Sequence, residues 1–133
     1  MTKKEETFNW LKFAIEDLKA AKSFLSKEEL MPRHACWLAQ QAAEKVLKSV
    51  LVFEQIKIPK THDLEYLLTL IPEKWNLHKL NSNLESLTEW AVEARYPGDW
   101  DEASEEDAIF AVKNAEIIVN EIKSTLQSTK NDD

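Results

Sequence analysis

The chain has 133 residues, 44% hydrophobic and 31% charged, with a formal net charge of −7. The length suits one domain with one real core, and the composition excludes a disordered chain. The acidic balance argues against a protein that coats DNA or an anionic membrane, since each phosphate contact needs a local cation. One Gly and four Pro leave little turn material, which argues against an all-β fold. No apolar run approaches the roughly 18 residues that span a bilayer. The opening MTKKEETFNW lacks the apolar run of a secretion signal. The single cysteine, Cys36, forms neither an internal disulfide nor a cysteine metal cluster. A cytoplasmic location is the default expectation.

Phe8, Leu11, Ile15, Leu18, Ala21 and Leu25 step by three and four, which predicts a first helix of about 20 residues with one apolar face. After a short connection at 26–32 comes HACWLAQQAAEKVLKSVLVFEQ, residues 34–55. Its small and apolar residues spread around the whole helix. That suits a central helix packed on several sides, with Ala39, Ala42 and Ala43 admitting close neighbours. Pro59 disfavours helix at Ile58. Thr61 or Asp63 then caps a short helix from Leu64 to Ile71, which stops at Pro72.

Leu77, Leu80, Leu84, Leu87, Ala91 and Ala94 form a heptad-like seam, which puts the start of the third long helix near Asn76. Ser82 and Glu85 fit a capping box and would start it later. RYPGDWDEA follows as a loop. Ser104 is a good N-cap, with Glu105, Glu106 and Asp107 where the helix dipole favours acids. Ala108, Val112, Ala115, Val119, Ile122 and Leu126 then mark the clearest helix of the chain. The expectation is an all-α, antiparallel up-and-down four-helix bundle, with an extra short helix between the second and third long helices. Residues 1–128 make one helical domain and 129–133 a frayed polar tail.

The three histidines, His34, His62 and His78, stand in no H-x-x-x-H or H-E-x-x-H pattern, so no metal or other cofactor is expected. One Gly also excludes the glycine-rich phosphate loops. Cys36, among Ala and Trp, reads as a small buried hydrophobe. The second helix offers Gln40, Gln41, Glu44, Lys45 and Lys48. Gln41, Lys45 and Lys48 share a face, and Glu44 is spaced for an ion pair with Lys48. This is either a set of polar groups satisfied among themselves or a small site facing a phosphate-bearing ligand or a partner. His62 beside Asp63 is either a loop residue next to a cap or a pH-active pair. The five tryptophans supply aromatic anchors, most of them expected in the core.

WLAQQAAEKVLKSVL, KTHDLEYLL and ARYPGD, in this order and spacing, resemble the HEPN domain family (higher eukaryote and prokaryote nucleotide-binding). AIEDLKAAKSFL and the Ala-rich last helix extend the likeness over nearly the whole chain. The resemblance implies a helical bundle, commonly a homodimer, in a two-component, toxin-antitoxin-like module beside a small nucleotidyltransferase. Nuclease members carry an R-x4-6-H motif. Here the only arginines are Arg33 and Arg95, and no His follows either at that spacing. The expected role is therefore a noncatalytic binding subunit with a nucleotidyltransferase partner and a nucleotide or RNA ligand. A divergent metal-independent RNase is the alternative. Arg95 and Tyr96 either end a helix with a local ion pair or line a cleft against the second helix and the His62 loop. The cleft reading gives the expected ligand-binding set Arg95, Tyr96, His62, Gln41, Lys45 and Lys48.

Overall fold

The computed structural model describes residues 1–91 and 102–130. The chain is all-α: four longer helices packed antiparallel, with a short helix between the second and third of them. No strand occurs among the described residues. The elements are α1 (Lys3–Ser23), α2 (Pro32–Phe53), α3 (Leu64–Thr69), α4 (Asn81–Thr88) and α5 (Glu105–Lys130). Two single 3₁₀ turns, Glu73–Trp75 and His78–Leu80, lead into α4. No helix among the described residues is long and apolar enough to cross a membrane.

Local chemistry sets the boundaries. Thr2 caps α1 by accepting a hydrogen bond from the Glu5 amide at 3.1 Å. Pro32 opens α2, where its missing N–H costs nothing. The end of α2 is a Schellman turn. Gln55 is left-handed at φ 59°, its N–H donates to the Val52 carbonyl, and the Ile56 N–H reaches back to the Leu51 carbonyl at 2.8 Å. Asp63 caps α3 through the Tyr66 amide, while Thr61 accepts from the Asp63 amide. Ser104 and Asp107 cap α5 reciprocally: each side chain accepts from the other's backbone N–H. α5 continues through Lys130, into the segment expected to be a polar tail.

α2 is the central rod, packed chiefly against α1 and α5. Ala39, Ala42 and Ala43 are fully buried, as are Val46, Leu47, Val50 and Leu51. The α1 stripe of Leu11, Leu18 and Ala21 and all six periodic residues of α5 join this core. Cys36 is buried within it.

The α4 region departs from the expected helix start near Asn76. Asn76 is left-handed at φ 55°, and α-helix begins only at Asn81, with no side-chain cap from Ser82. The seam itself survives: Leu77, Leu80, Leu84, Leu87 and Ala91 are all buried. Trp75 supplies the physical reason for the break. Its indole is turned inward, packs edge-on against Phe53 and donates to Glu54 Oε1 at 2.7 Å. A straight helix from Asn76 would not accommodate that anchor and the two short turns that follow it.

Candidate functional site

Glu44 sits at the middle of α2, 4% exposed and surrounded by donors. Lys48, one turn on, donates to Oε2 at 2.9 Å. Gln40, one turn back, donates to Oε1 at 3.0 Å. His62, from the connection between α2 and α3, brings Nδ1 to Oε1 at 2.7 Å. Burial by itself raises a carboxyl. Here the hydrogen bonds from Lys48, His62 and Gln40, with the charge of Lys48, outweigh it and hold Glu44 below its ordinary value of 4.5. An ionised carboxylate only accepts, so His62 Nδ1 carries the proton in this contact. The carboxylate thereby fixes both the tautomer and the orientation of the imidazole.

The surrounding groups extend the network. Gln40 Nε2 also reaches the His62 carbonyl at 3.4 Å, and Gln40 Oε1 accepts from Gln41 Nε2 at 2.7 Å. Lys48 Nζ lies 5.7 Å from the ring centre of Trp10 on α1. Lys45 donates to Asp17 Oδ2, also on α1, at 2.6 Å. Among the described residues, no buried side-chain polar atom lacks a hydrogen-bond partner. The charges of Asp17, Glu44, Lys45 and Lys48 therefore cancel within the protein.

The structure brings together Gln41, Lys48 and His62 of the expected set, all tied through Gln40 and Glu44. It places Lys45 on the α1 side of the same face. His62 contacts Glu44, across the connection, where the sequence suggested its neighbour Asp63; Asp63 is occupied as the α3 cap. Arg95 and Tyr96 lie outside the described residues. Thr88, at the end of α4, accepts from the Leu64 amide at 3.3 Å, so that end of α4 meets the start of α3 beside Asp63.

Two features went unrecognised in the sequence. Glu44 is the hub of the site, beyond being the pair of Lys48. Trp37 is exposed, unlike Trp75 and Trp90 in the core, and stands 36% open to solvent. The signal for both was present: Trp37, Gln41, Glu44 and Lys48 step by four, three and four along one face of α2.

A second polar network joins α4 to α5. Asn83 donates to Asn114 Oδ1 at 2.7 Å, Asn114 donates to Ser86 Oγ at 3.0 Å, and Ser86 donates to the Asn83 carbonyl at 2.9 Å. It contains no charge.

The sequence profile of the HEPN domain matches residues 8–125. An archaeal HEPN homologue of known crystal structure superimposes with a TM-score of 0.73 at 28% identity, over 91% of this chain and 98% of that one. A Thermus thermophilus protein superimposes with a TM-score of 0.78 at 24% identity, over 90% and 97% of the two chains, which is a likeness of fold. No curated protein shows significant similarity.

Proposed function

The chain belongs to the HEPN domain family, and from that premise we propose that it is a noncatalytic binding subunit of a two-component, toxin-antitoxin-like module. It acts in the cytoplasm as a homodimer, engages a small nucleotidyltransferase, and takes a nucleotide or RNA on the α2 face beside His62. The observation that carries the noncatalytic reading is the commitment of both lysines on that face. Lys45 is paired with Asp17 and Lys48 with buried Glu44. Neither is left to stabilise the charge that builds on a phosphate during cleavage. The missing Arg–His spacing supports the same reading. The homodimer is supported by a second apolar stripe on α5, where Ile109, Phe110 and Ile117 point away from the core.

The test is incubation of the purified protein with RNA, repeated with Arg95→Ala and His62→Ala. The expected result is no cleavage by any of the three. Cleavage that survives purification and disappears in both variants would establish the RNase alternative. That alternative has one observation in its favour, the carboxylate-held imidazole of His62. Native mass spectrometry of the protein from its own host tests the rest: two copies of the chain together with a nucleotidyltransferase are expected. A monomer without partner would refute the assembly.

A further inference from the structure

We propose that the exposed start of α2 in one copy of the chain docks on the outward stripe of α5 in a second copy, and that the reciprocal contact closes the dimer. The inference rests on the homodimer reading above and names the two surfaces and the charge pair that joins them.

The first surface surrounds the opening turns of α2. Leu30 and Met31 lead into the helix, and Arg33 and Trp37 follow on one row, a turn apart. All four are exposed. Arg33 forms no ion pair among the described residues, and the Trp37 indole N–H has no hydrogen-bond partner among them. Aromatic, Met and Arg side chains are the types enriched where proteins meet.

The second surface lies on α5. Glu106, Phe110, Lys113 and Ile117 step by four, three and four, and all are exposed, with Ile109 beside them. Neither Glu106 nor Lys113 is paired among the described residues. The core of the bundle uses the other face of α5, which runs from Ala108 to Leu126.

Charge selects the occupant. Each surface carries an unpaired charge four residues before a large aromatic, and the signs are opposite: Arg33 before Trp37, Glu106 before Phe110. Aligned side by side, the guanidinium meets a carboxylate in bidentate reach and the indole meets the phenyl ring. Lys113 then falls level with Gln41, which is uncharged. A phosphate is a poorer match for Arg33. Glu28 and Glu29 precede it in the exposed connection, and Lys45 and Lys48 are held by carboxylates, so one cation would face a multiply charged anion.

The fold permits both contacts at once. Glu116, next to Ile117, pairs with Lys22 near the end of α1. The Met31 N–H donates to the Phe24 carbonyl, just past that end, at 3.0 Å. The two surfaces therefore share one end of the bundle. The second and fourth of four alternating helices also run the same way, so a two-fold axis along the bundle keeps the side-by-side register and makes the contact twice.

Sedimentation equilibrium of the full-length protein tests this with a charge swap. The wild type should be a dimer. Arg33→Glu and Glu106→Lys should each raise the dimer dissociation constant by about tenfold or more, because like charges are then juxtaposed. An equimolar mixture of the two variants should recover dimers to within about threefold of wild type, since each variant meets an opposite charge at both contacts. Two misfolded variants would not rescue each other, so the mixture also controls for folding. Trp37→Ala and Phe110→Ala should each weaken the dimer by about tenfold or more. Variants that dissociate and are not rescued by mixing would overturn the pairing. A wild-type dimer that all four substitutions leave intact would keep the homodimer reading and remove these surfaces from it. Assemblies larger than the dimer would contradict the closed two-fold arrangement. A monomeric wild type would remove both the surfaces and the homodimer.

Discussion

Among the described residues, two polar networks of opposite character each centre on a buried side chain, Glu44 and Asn114. The one around Glu44 is charged: a buried carboxylate pairs with a partly buried ammonium on α2, with an imidazole brought in from a connection. The one around Asn114 is neutral: two amides and a hydroxyl join α4 to α5. Neither leaves a buried side-chain polar atom without a hydrogen-bond partner. The difference is in what happens when a member is lost. A neutral network that is broken leaves unsatisfied dipoles, whereas a broken charged network leaves a buried charge, and the desolvation cost of the second is larger. The charged network also joins segments distant in sequence, so it holds the α2–α3 connection and its functional residues in place.

Glu44→Ala should therefore be the most damaging of the substitutions considered, at about 3–5 kcal/mol in chemical denaturation, since it strands Lys48 and frees His62. Asn114→Ala should lose less, about 1–3 kcal/mol, for an unpaired amide and a hydroxyl. Equal losses would erase the distinction between the two networks. pH separates them further. The Glu44 carboxyl is lower in the folded chain than its ordinary 4.5, so below that value the unfolded chain binds the additional proton. Its contribution is fully present above about pH 4.5 and is lost as pH falls through the lower folded value. Denaturation midpoints measured from pH 6 to pH 3 should show that loss in wild type and Asn114→Ala, and a smaller one in Glu44→Gln.

The smallest effect is expected at the end of α2, away from both networks. Gln55 occupies a left-handed position at φ 59° that costs a side chain about 1 kcal/mol. Gln55→Gly should raise stability by up to about that amount in thermal denaturation, with the acid-side profile unchanged.

The periodic parts of the chain were legible from the start. The α5 stripe, the alanines of α2 and the short capped α3 follow directly from spacing and caps, because one-face burial imposes those patterns. The start of α4 was not. The leucine seam from Leu77 holds whether the backbone is α-helical or 3₁₀, so burial alone does not distinguish them, and the Trp75 hydrogen bond to Glu54 decides the matter from 21 residues away. The site was half legible. Gln41, Lys48 and the Glu44 pairing follow from helical spacing, but His62 reaches Glu44 through the path of a connection, which no local pattern encodes. Trp37 was hidden for a related reason: an aromatic among alanines reads as core, and only the packing of α1 and α5 around α2 shows which side stays open.

The central claim is that Glu44 remains an ionised, internally neutralised hub that consumes the cation of its own face and orients His62. Titration of the Glu44 side-chain carboxyl carbon by NMR tests it most directly. The account predicts a midpoint below 4.5. A midpoint at or above that value would mean that burial prevails over its three donors, and the commitment of Lys48 that carries the noncatalytic reading would be wrong.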